Sequence, residues 1–199
     1  MTSQFWNERY QGNETVYGYE PNAFFKEQIL LRKPGKLLLP AEGEGRNALF
    51  AAKYGWEVSA FDYSEVAQQK ALKKARELNL TIDYTLKSIE GLTLVPASVD
   101  VIGLIYVHVP PVLRKHFHHQ CQQALKPGGS ILLEAFSPEQ LKHSSGGPRV
   151  PEMLYTLEAL QQDFAGLRIQ RAVQKEVVLS EGPFHTGPAS IVQFVATKE

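Results

Sequence analysis

Short apolar runs alternate along the chain with amphipathic stretches, and this pattern predicts alternating strands and helices. Residues 37–39 (LLL) form the kind of apolar run that is buried in a parallel sheet, and residues 57–61 (EVSAF) form a second strand. Residues 48–54 between them have helical character. A second helix is predicted from Ser64, which can cap its first turn, to Leu78. The first half of the chain therefore follows a strand–helix–strand–helix order.

The same alternation continues to the carboxyl end. Further strands are predicted at 81–85, 99–105 and 130–136, and further helices at 110–125 and 156–164. Residues 126–129 (KPGG) are expected to break the helix before the strand at 130–136. The last two strands, near 169–179 and 190–196, are joined by SEGPFHTGP, which is too short and irregular for a crossover helix. We therefore expect these two strands to pair antiparallel.

A glycine turn follows the first strand and gives the first indication of a ligand. Residues 43–48 (GEGRNA) fit the GxGxxA pattern, in which Gly43 and Gly45 let the backbone turn tightly and approach a ligand. Asp62 ends the second strand about 20 residues later, where a carboxylate can accept hydrogen bonds from ribose hydroxyls. The sequence therefore predicts a ligand that contains ribose. Both NAD(P) and S-adenosylmethionine (SAM) fit this geometry.

Chain length favours SAM over NAD(P) as the cofactor. The chain has 199 residues and an apolar fraction of 43%, enough for one sizeable core. A dehydrogenase normally adds a second βαβαβ half or a catalytic domain, whereas a SAM-dependent methyltransferase completes its sheet within about 200 residues. None of the eight tyrosines is followed four residues later by lysine, so the Tyr/Lys pair of short-chain dehydrogenases is absent. An NAD(P)-binding oxidoreductase is the alternative.

Charge and composition limit the classes of partner that we expect the chain to bind. Lys plus Arg and Asp plus Glu both number 21, so no global field draws the chain to nucleic acid or to an anionic membrane, and a small-molecule substrate is expected. The single cysteine, Cys121, excludes an internal disulfide. No signal peptide or membrane-length apolar run is visible, so we expect a cytoplasmic single domain over residues 1–199. Residues 116–119 (HFHH) spread their side chains over different helix faces, and no metal is expected.

Several stretches, taken in order, carry a family resemblance. They are YGYEPNAF, AEGEGRNALFAA, FDYS, HVPPVLRKHF, ALKPGGSILLEAFSPEQL and the terminal hairpin. With these stretches the chain resembles the class I SAM-dependent methyltransferases and is most similar to their small tellurite-resistance-type branch. The resemblance implies an α/β fold: a Rossmann-like seven-stranded methyltransferase sheet with helices on both faces and an antiparallel C-terminal strand pair.

The resemblance also implies a SAM site. Gly43 and Gly45 would lie beside the methionine part of the cofactor, and Asp62 would bind the ribose hydroxyls. The remaining candidates are Glu42, Arg46 and Asn47 on the first loop, Tyr63, Ser88, Ile89 and Glu90 around the adenine, and Tyr106 with His108 beside the sulfonium.

Three positions depart from the pattern of the family. Leu39, Ala41 and Ser88 stand where the family often has an acidic residue, a first glycine and an aspartate for the adenine amine. Glu42 is a candidate to replace the missing charge of the first loop. The altered loop keeps a third hypothesis open, a SAM-binding module without catalysis.

The N-terminal segment, residues 1–30, is unusually aromatic. Phe24 and Phe25 are expected to pack in the core, on a helix that begins at Asn22. Trp6, Tyr10 and Tyr17 are candidates for a lid over the cofactor, because an electron-rich ring attracts a sulfonium and excludes water. The resemblance to a cofactor-covering N-terminus points the same way.

The expected reaction is direct displacement on the SAM methyl group by a small acceptor. An acceptor sulfur, selenium or tellurium atom would need no general base. An oxygen or nitrogen acceptor could need one, and His108 and His185 are the candidates because imidazole takes up a proton near neutral pH.

Overall fold

The computed structural model describes residues 2–12 and 14–199. Its strands are β1 (Lys36–Pro40), β2 (Glu57–Asp62), β3 (Asp83–Leu86), β4 (Val99–Ile105), β5 (Leu125–Phe136), β6 (Arg168–Ser180) and β7 (Thr186–Thr197). Its helices are α1 (Ser3–Tyr10), α2 (Ala23–Leu30), α3 (Arg46–Lys53), α4 (Glu65–Glu77), α5 (Pro111–Ala124) and α6 (Leu157–Asp163). Short 3₁₀ helices span Pro138–Lys142 and Pro151–Met153.

The strands form one sheet in the order β3-β2-β1-β4-β5-β7-β6. The pairs from β3 to β5 are parallel, whereas β7 lies between β5 and β6 and runs antiparallel to both. The predicted α/β fold and its antiparallel C-terminal pair are confirmed. Because β1, β2, β4 and β5 are parallel, their carboxyl ends meet at one edge of the sheet, where ligands of such folds bind.

The apolar run of β1 is buried because helices cover both faces of the sheet. Leu37 and Leu39 pack into a core layer with residues of α2, α3 and α4, among them Phe25. Leu38 points to the opposite layer, where it meets Phe117 of α5. Successive side chains of a strand face opposite sides, so three consecutive leucines need two covered faces.

The N-terminal segment holds one predicted helix and one that the sequence did not indicate. Asn22 caps α2, as predicted, and its side-chain oxygen accepts a hydrogen bond from the Phe25 amide at 2.9 Å. Helix α1 was missed because its aromatic and polar residues do not form an apolar stripe of helical period. It packs on α4, where Tyr10, Val16 and Ala67 are buried together.

The start of β5 differs from the prediction. Helix α5 ends at Ala124, and the strand begins directly at Leu125 because this residue pairs with Val99 of β4. The register then shifts, and Val101 pairs with Ser130. The KPGG segment is thus an irregular first part of β5, and it is anchored by the Gly128 amide, which donates to the Lys198 carbonyl at 2.8 Å.

Gly45 fixes the spacing of two helices. It precedes α3 in the left-handed region, with φ at 83°, and a Cβ placed on it would lie 2.8 Å from the Ala71 side chain of α4. Both the backbone conformation and the close approach therefore require glycine.

Gly45→Ala is expected to lower the free energy of unfolding by about 1–3 kcal/mol more than Gly128→Ala, because overpacking adds to backbone strain only at the first site. Gly128 is a matched control, since its φ is 79° and no atom lies within 4 Å of the added Cβ. Urea denaturation of both variants measures the difference. Equal losses would show that α3 and α4 can separate without cost.

Candidate functional site

A cavity of about 1010 Å³ lies at the carboxyl edge of β1, β2, β4 and β5. Nearly all the predicted site residues line it: Trp6, Tyr10, Tyr17, Glu42, Gly43, Arg46, Asn47, Asp62, Tyr63, Ser88, Ile89, Glu90, Tyr106, His108 and His185. Gly45 does not line it, and its packing against Ala71 gives it a structural role instead of a place beside the ligand.

Two strands end in strained backbone at this cavity. Ala41 follows β1 with φ at 50°, and Tyr106 follows β4 with φ at 56°. Residues other than glycine adopt this region at a cost of order 1–3 kcal/mol, and such strain concentrates at functional sites. Ala41 stands where the family often has glycine, so the chain keeps the turn despite the side chain.

Asp62 is held at the tip of β2 by the backbone. One carboxylate oxygen accepts from the Ser64 amide at 2.8 Å and the other from the Gly43 amide at 3.0 Å. Burial raises the pKa of Asp62, and the amide hydrogen bonds oppose that shift. The backbone of Tyr63 supplies a third hydrogen bond. Because a carboxylate has about four lone-pair sites, Asp62 keeps room for a further donor such as a ribose hydroxyl.

Glu42 joins β1 to α3. Its Oε1 accepts from the backbone amides of Asn47 and Ala48, both at 2.8 Å, and its Oε2 accepts from the Asn47 side chain at 3.2 Å. The carboxylate therefore satisfies amides of the first turn of α3. Burial raises the pKa of Glu42 to about 7, although these hydrogen bonds lower it.

Aromatic residues of the N-terminal segment cover the loop after β1. The rings of Trp6 and Tyr10 are stacked with centroids 5.6 Å apart, and Tyr17 lies 6.4 Å from Tyr10. The Tyr10 hydroxyl oxygen lies only 2.7 Å from the point where a Cβ of Gly43 would sit. Tyr63 lines the same cavity, and burial raises its pKa to about 12.

The predicted adenine edge is more open. Ser88 and Glu90 are exposed, and the Glu90 amide donates to the Ser88 hydroxyl at 3.1 Å. Ile89 is half-buried and packs against the core layer of α5. Ser88, which replaces the usual aspartate, is thus part of a local turn at the edge of the cavity.

A buried carboxylate that the sequence analysis missed links this edge to the N-terminal segment. Glu134 of β5 accepts hydrogen bonds from the Asn22 side chain at 2.6 Å, from Gln193 at 2.5 Å and from the Tyr106 hydroxyl at 3.2 Å. Burial raises the pKa of Glu134, and the Gln193 and Asn22 hydrogen bonds lower it. An acidic residue inside an apolar strand (ILLEAF) was the available signal.

A second missed carboxylate, Glu181, lies in the turn between β6 and β7. It forms an ion pair with Arg46 at 3.0 Å, accepts from the Asn22 side chain at 3.0 Å and lies 3.3 Å from Nδ1 of His185. Burial would raise the pKa of Glu181, but the hydrogen bond from His185 and the charge of Arg46 lower it to about 2. The hairpin is therefore tied to α3 and to the N-terminal segment.

The two candidate histidines differ in how their ring nitrogens are engaged. Nδ1 of His108 donates to the Met153 carbonyl at 2.7 Å, and its Nε2 accepts from the Phe136 amide at 3.3 Å. Both nitrogens are engaged by backbone, and burial lowers the pKa of His108 to about 4, so the prediction of His108 as a base is not supported. Nδ1 of His185 lies 3.3 Å from Glu181, and burial lowers the pKa of His185 although Glu181 opposes this shift.

The other features considered in the sequence do not add a functional site among the described residues. In residues 2–12 and 14–199, no group of three His, Cys, Asp or Glu side chains is placed to hold a metal ion. Within the same residues, no helix has the length and apolar character to cross a membrane. Cys121 is buried, and burial raises the pKa of its thiol. His118 is bound to Asp163 at 2.8 Å, away from the cavity.

Comparison with known proteins finds a domain match and structures of similar fold. A family model described as a methyltransferase domain matches residues 40–129. A thiopurine S-methyltransferase of Vibrio cholerae is 23% identical over 189 residues, covering 86% of this chain and 84% of the relative. TehB from Haemophilus influenzae superposes with a TM-score of 0.73 at 15% identity, covering 99% of this chain and 67% of that one.

A further solved structure superposes with a TM-score of 0.79 at 16% identity, covering 99% of this chain and 93% of that one. It comes from a study of the conversion of a disulfide bond into a thioacetal group during echinomycin biosynthesis. At such identities the likeness to the two solved structures concerns the fold.

The fold and the cavity thus define an enzyme of the methyltransferase class, with its crevice at the tips of parallel strands. Residues 40–129 form a methyltransferase domain, and the whole chain has the fold of SAM-dependent methyltransferases, whose cofactor is SAM. This confirms the family prediction and sets aside hydride transfer from NAD(P). When bound, SAM supplies a methyl group on a positively charged sulfur.

The described residues fit this cofactor. The lone-pair site left on Asp62 suits a hydroxyl donor, and the buried carboxylates of Glu42 and Asp62 suit a ligand with positive charge. We propose that Asp62 binds the ribose and that Glu42 lies beside the charged methionine part.

The ribose assignment predicts a coupling between Asp62 and the ligand hydroxyls. Adenosine should bind the wild type about tenfold more tightly than 2′,3′-dideoxyadenosine, since hydrogen bonds to a charged acceptor contribute about 1.5–3 kcal/mol. In Asp62→Asn the affinity for adenosine should fall towards that for the dideoxy compound, so that their ratio approaches one. Calorimetry measures the four dissociation constants. The control variant is Asp83→Asn, because Asp83 is exposed on β3. An unchanged ratio in Asp62→Asn would refute the assignment.

The raised pKa of Glu42 predicts pH-dependent binding. A cationic ligand favours the ionised carboxylate, so binding SAM lowers the pKa of Glu42 and releases protons below about pH 7. SAM affinity should therefore rise between about pH 6 and about pH 7.5. Glu42→Gln should lose both the rise and the proton release, which calorimetry in buffers of different ionisation enthalpy detects. Glu158→Gln, at an exposed position of α6 outside the cavity, is the control, and equal proton release in both variants would contradict the proposal.

Proposed function

We propose that this methyltransferase acts on a small acceptor whose nucleophilic atom is a thiol sulfur or a related soft chalcogen. The observation that carries the proposal is an aromatic chamber formed by four rings. His185 lies 4.5 Å from Tyr17, 4.5 Å from Tyr106 and 5.3 Å from Phe136, measured between ring centroids. The chamber adjoins the strained tip of β4, and all four of its rings line the cavity.

The dimensions and charge of the site support a small acceptor. A cavity of about 1010 Å³ is at the upper end of the size typical of small-ligand sites, about 300–1,000 Å³, so it has room for the cofactor and one small molecule. The equal numbers of basic and acidic residues provide no field that would attract a nucleic acid.

The acceptor atom should be one that needs no residue to remove its proton. His108 has no free lone pair, and burial lowers the pKa of His185. A thiolate needs neither residue, because it arrives without a proton on the attacking atom. A relative named thiopurine S-methyltransferase, 23% identical over most of both chains, supports the same class of acceptor.

The residues of the chamber would contribute mainly orientation and exclusion of water. The attacking sulfur lone pair forms the new bond to the methyl carbon, while the old carbon–sulfur bond breaks in line with it. Holding both partners in this geometry replaces a bimolecular encounter by an effectively unimolecular step. Apolar ring faces keep the nucleophile poorly solvated at the same time.

We also propose that residues 1–30 cover the bound cofactor. Hydrogen bonds hold this segment on the site, among them three from the part of the segment that precedes α2. The Asn7 side chain accepts from the Ser64 hydroxyl at 2.7 Å, the Val16 amide donates to Glu44 at 2.7 Å, and Arg46 donates to the Tyr17 carbonyl at 3.0 Å. A cofactor beneath the rings of Trp6 and Tyr10 would be shielded from solvent.

Benzenethiol, phenol and aniline test the acceptor class at constant size. Near pH 8 the thiol is expected to be methylated, whereas the phenol and the amine should give at most about 1% of that rate because no residue removes their protons. His185→Gln should retain thiol turnover within about threefold. Production of S-adenosylhomocysteine, followed by chromatography, gives the rates.

Faster turnover of phenol or aniline, or loss of thiol turnover in His185→Gln, would show that a base is required. His118→Gln is the control variant, because His118 binds Asp163 outside the cavity. SAM binding with no turnover on any acceptor would favour the non-catalytic hypothesis.

A further inference from the structure

Charged side chains of both signs line the cavity. The carboxylates of Glu42 and Asp62 lie at the tips of β1 and β2, where the cofactor site is proposed. The end of the cavity beside the turn between β6 and β7 is lined by Arg9, Arg46 and Arg149. Glu181 neutralises Arg46 there, through the ion pair at 3.0 Å. The remaining charge of this end is positive.

Arg9 is a cation without a carboxylate partner among the residues that the structure describes. Its guanidinium carbon lies 4.2 Å from the ring centroid of Phe184, 5.0 Å from that of Phe5 and 5.8 Å from that of Trp6. It is also hydrogen-bonded to the side chain of Tyr17. Aromatic rings thus hold the guanidinium in place without cancelling its charge.

Arg9 lies at the mouth of the aromatic chamber. Phe184, on which it stacks, is 44% exposed, while the adjacent His185 is buried. The loop that carries Arg149 reaches the same mouth, because a Cβ on Gly146 would lie 2.8 Å from the Phe184 carbonyl oxygen. The guanidinium of Arg149 is exposed and donates to the Leu141 carbonyl at 3.2 Å. Two arginines therefore flank the entrance.

We propose that Arg9 selects acceptors that carry an anionic substituent, such as a carboxylate, on the body that enters the aromatic chamber. The substituent would stay at the mouth against the guanidinium while the sulfur reaches the tip of β4. This inference rests on the proposed function and adds the charge of the substrate to it. Arg9 is then a specificity-determining residue remote from the reacting atoms.

The charge of the substituent is separate from that of the reacting atom. The thiolate lone pair bonds to the methyl carbon, and the electron pair of the broken carbon–sulfur bond stays on the cofactor sulfur. The thiolate and sulfonium charges cancel, no proton moves, and the carboxylate is unchanged. Its contact with Arg9 is thus present before and after transfer, which predicts an effect on KM and on binding and little effect on kcat.

The test uses the isosteric pair 4-mercaptobenzoate and 4-mercaptobenzamide, which differ in charge at one position. With wild type, KM for the carboxylate should be about tenfold lower than for the amide, as a charge-assisted hydrogen bond implies. Arg9→Gln should bring the two KM values within about twofold, and Arg9→Lys should keep most of the preference. Arg168→Gln, on exposed β6, is the control variant.

Binding without turnover provides an independent readout. The methylated products, 4-(methylthio)benzoate and its amide, are titrated by calorimetry in the presence of S-adenosylhomocysteine, and the same ratio of affinities is expected. Equal affinity of the two products for wild type, binding of neither, or an equal loss of both in Arg9→Gln would overturn the inference. If neither thiol is methylated but the carboxylate product still binds more tightly through Arg9, the proposed thiol chemistry fails and the charge selection stands.

Discussion

The site depends on one constraint: a carboxylate buried at the end of a strand must have its oxygens satisfied by donors from elsewhere in the chain. Glu42, Asp62 and Glu134 are each less than 10% exposed. Glu42 and Asp62 use backbone amides of the next loop or helix, which fixes the path of the chain around the crevice. Glu134 uses side chains, and these come from distant segments.

This constraint explains why the N-terminal segment belongs to the site. Asn22 caps α2 with its oxygen and donates its amide hydrogens to Glu134 and Glu181, while its backbone amide donates to Asn47 at 2.9 Å. One residue thus connects a helix start, the sheet and the hairpin. Loss of any partner would leave a buried polar group unpaired, so the segment and the sheet stabilise one another.

Local patterns of the sequence were sufficient to predict the strands of the sheet and the first loop. The apolar run of β1, the GEGRNA turn and Asp62 at the end of β2 are each encoded within a few residues. The antiparallel end of the sheet also followed from a short link. The family resemblance then added the candidates at the cavity.

The parts that the sequence did not reveal depend on contacts between distant residues. Asn22 and Glu181 are 159 positions apart, and no local pattern connects them. Helix α1 owes its position to packing on α4, and the early start of β5 owes its position to pairing with Val99. His108 was a candidate base because imidazole takes up a proton near neutral pH, whereas its engagement with Met153 and Phe136 depends on tertiary packing.

Glu181 also determines which arginine of the cavity is neutralised. Its single negative charge lies between Arg46 and His185, and the hydrogen bonds and ion pair there keep it ionised. Because that charge is committed to Arg46, the guanidinium of Arg46 is balanced and has no charge left over for a substrate. Arg9, held by aromatic rings, is not balanced in this way. A cavity that neutralises one arginine and leaves its neighbour uncompensated retains positive charge at its mouth, which is where an anionic acceptor would meet it first.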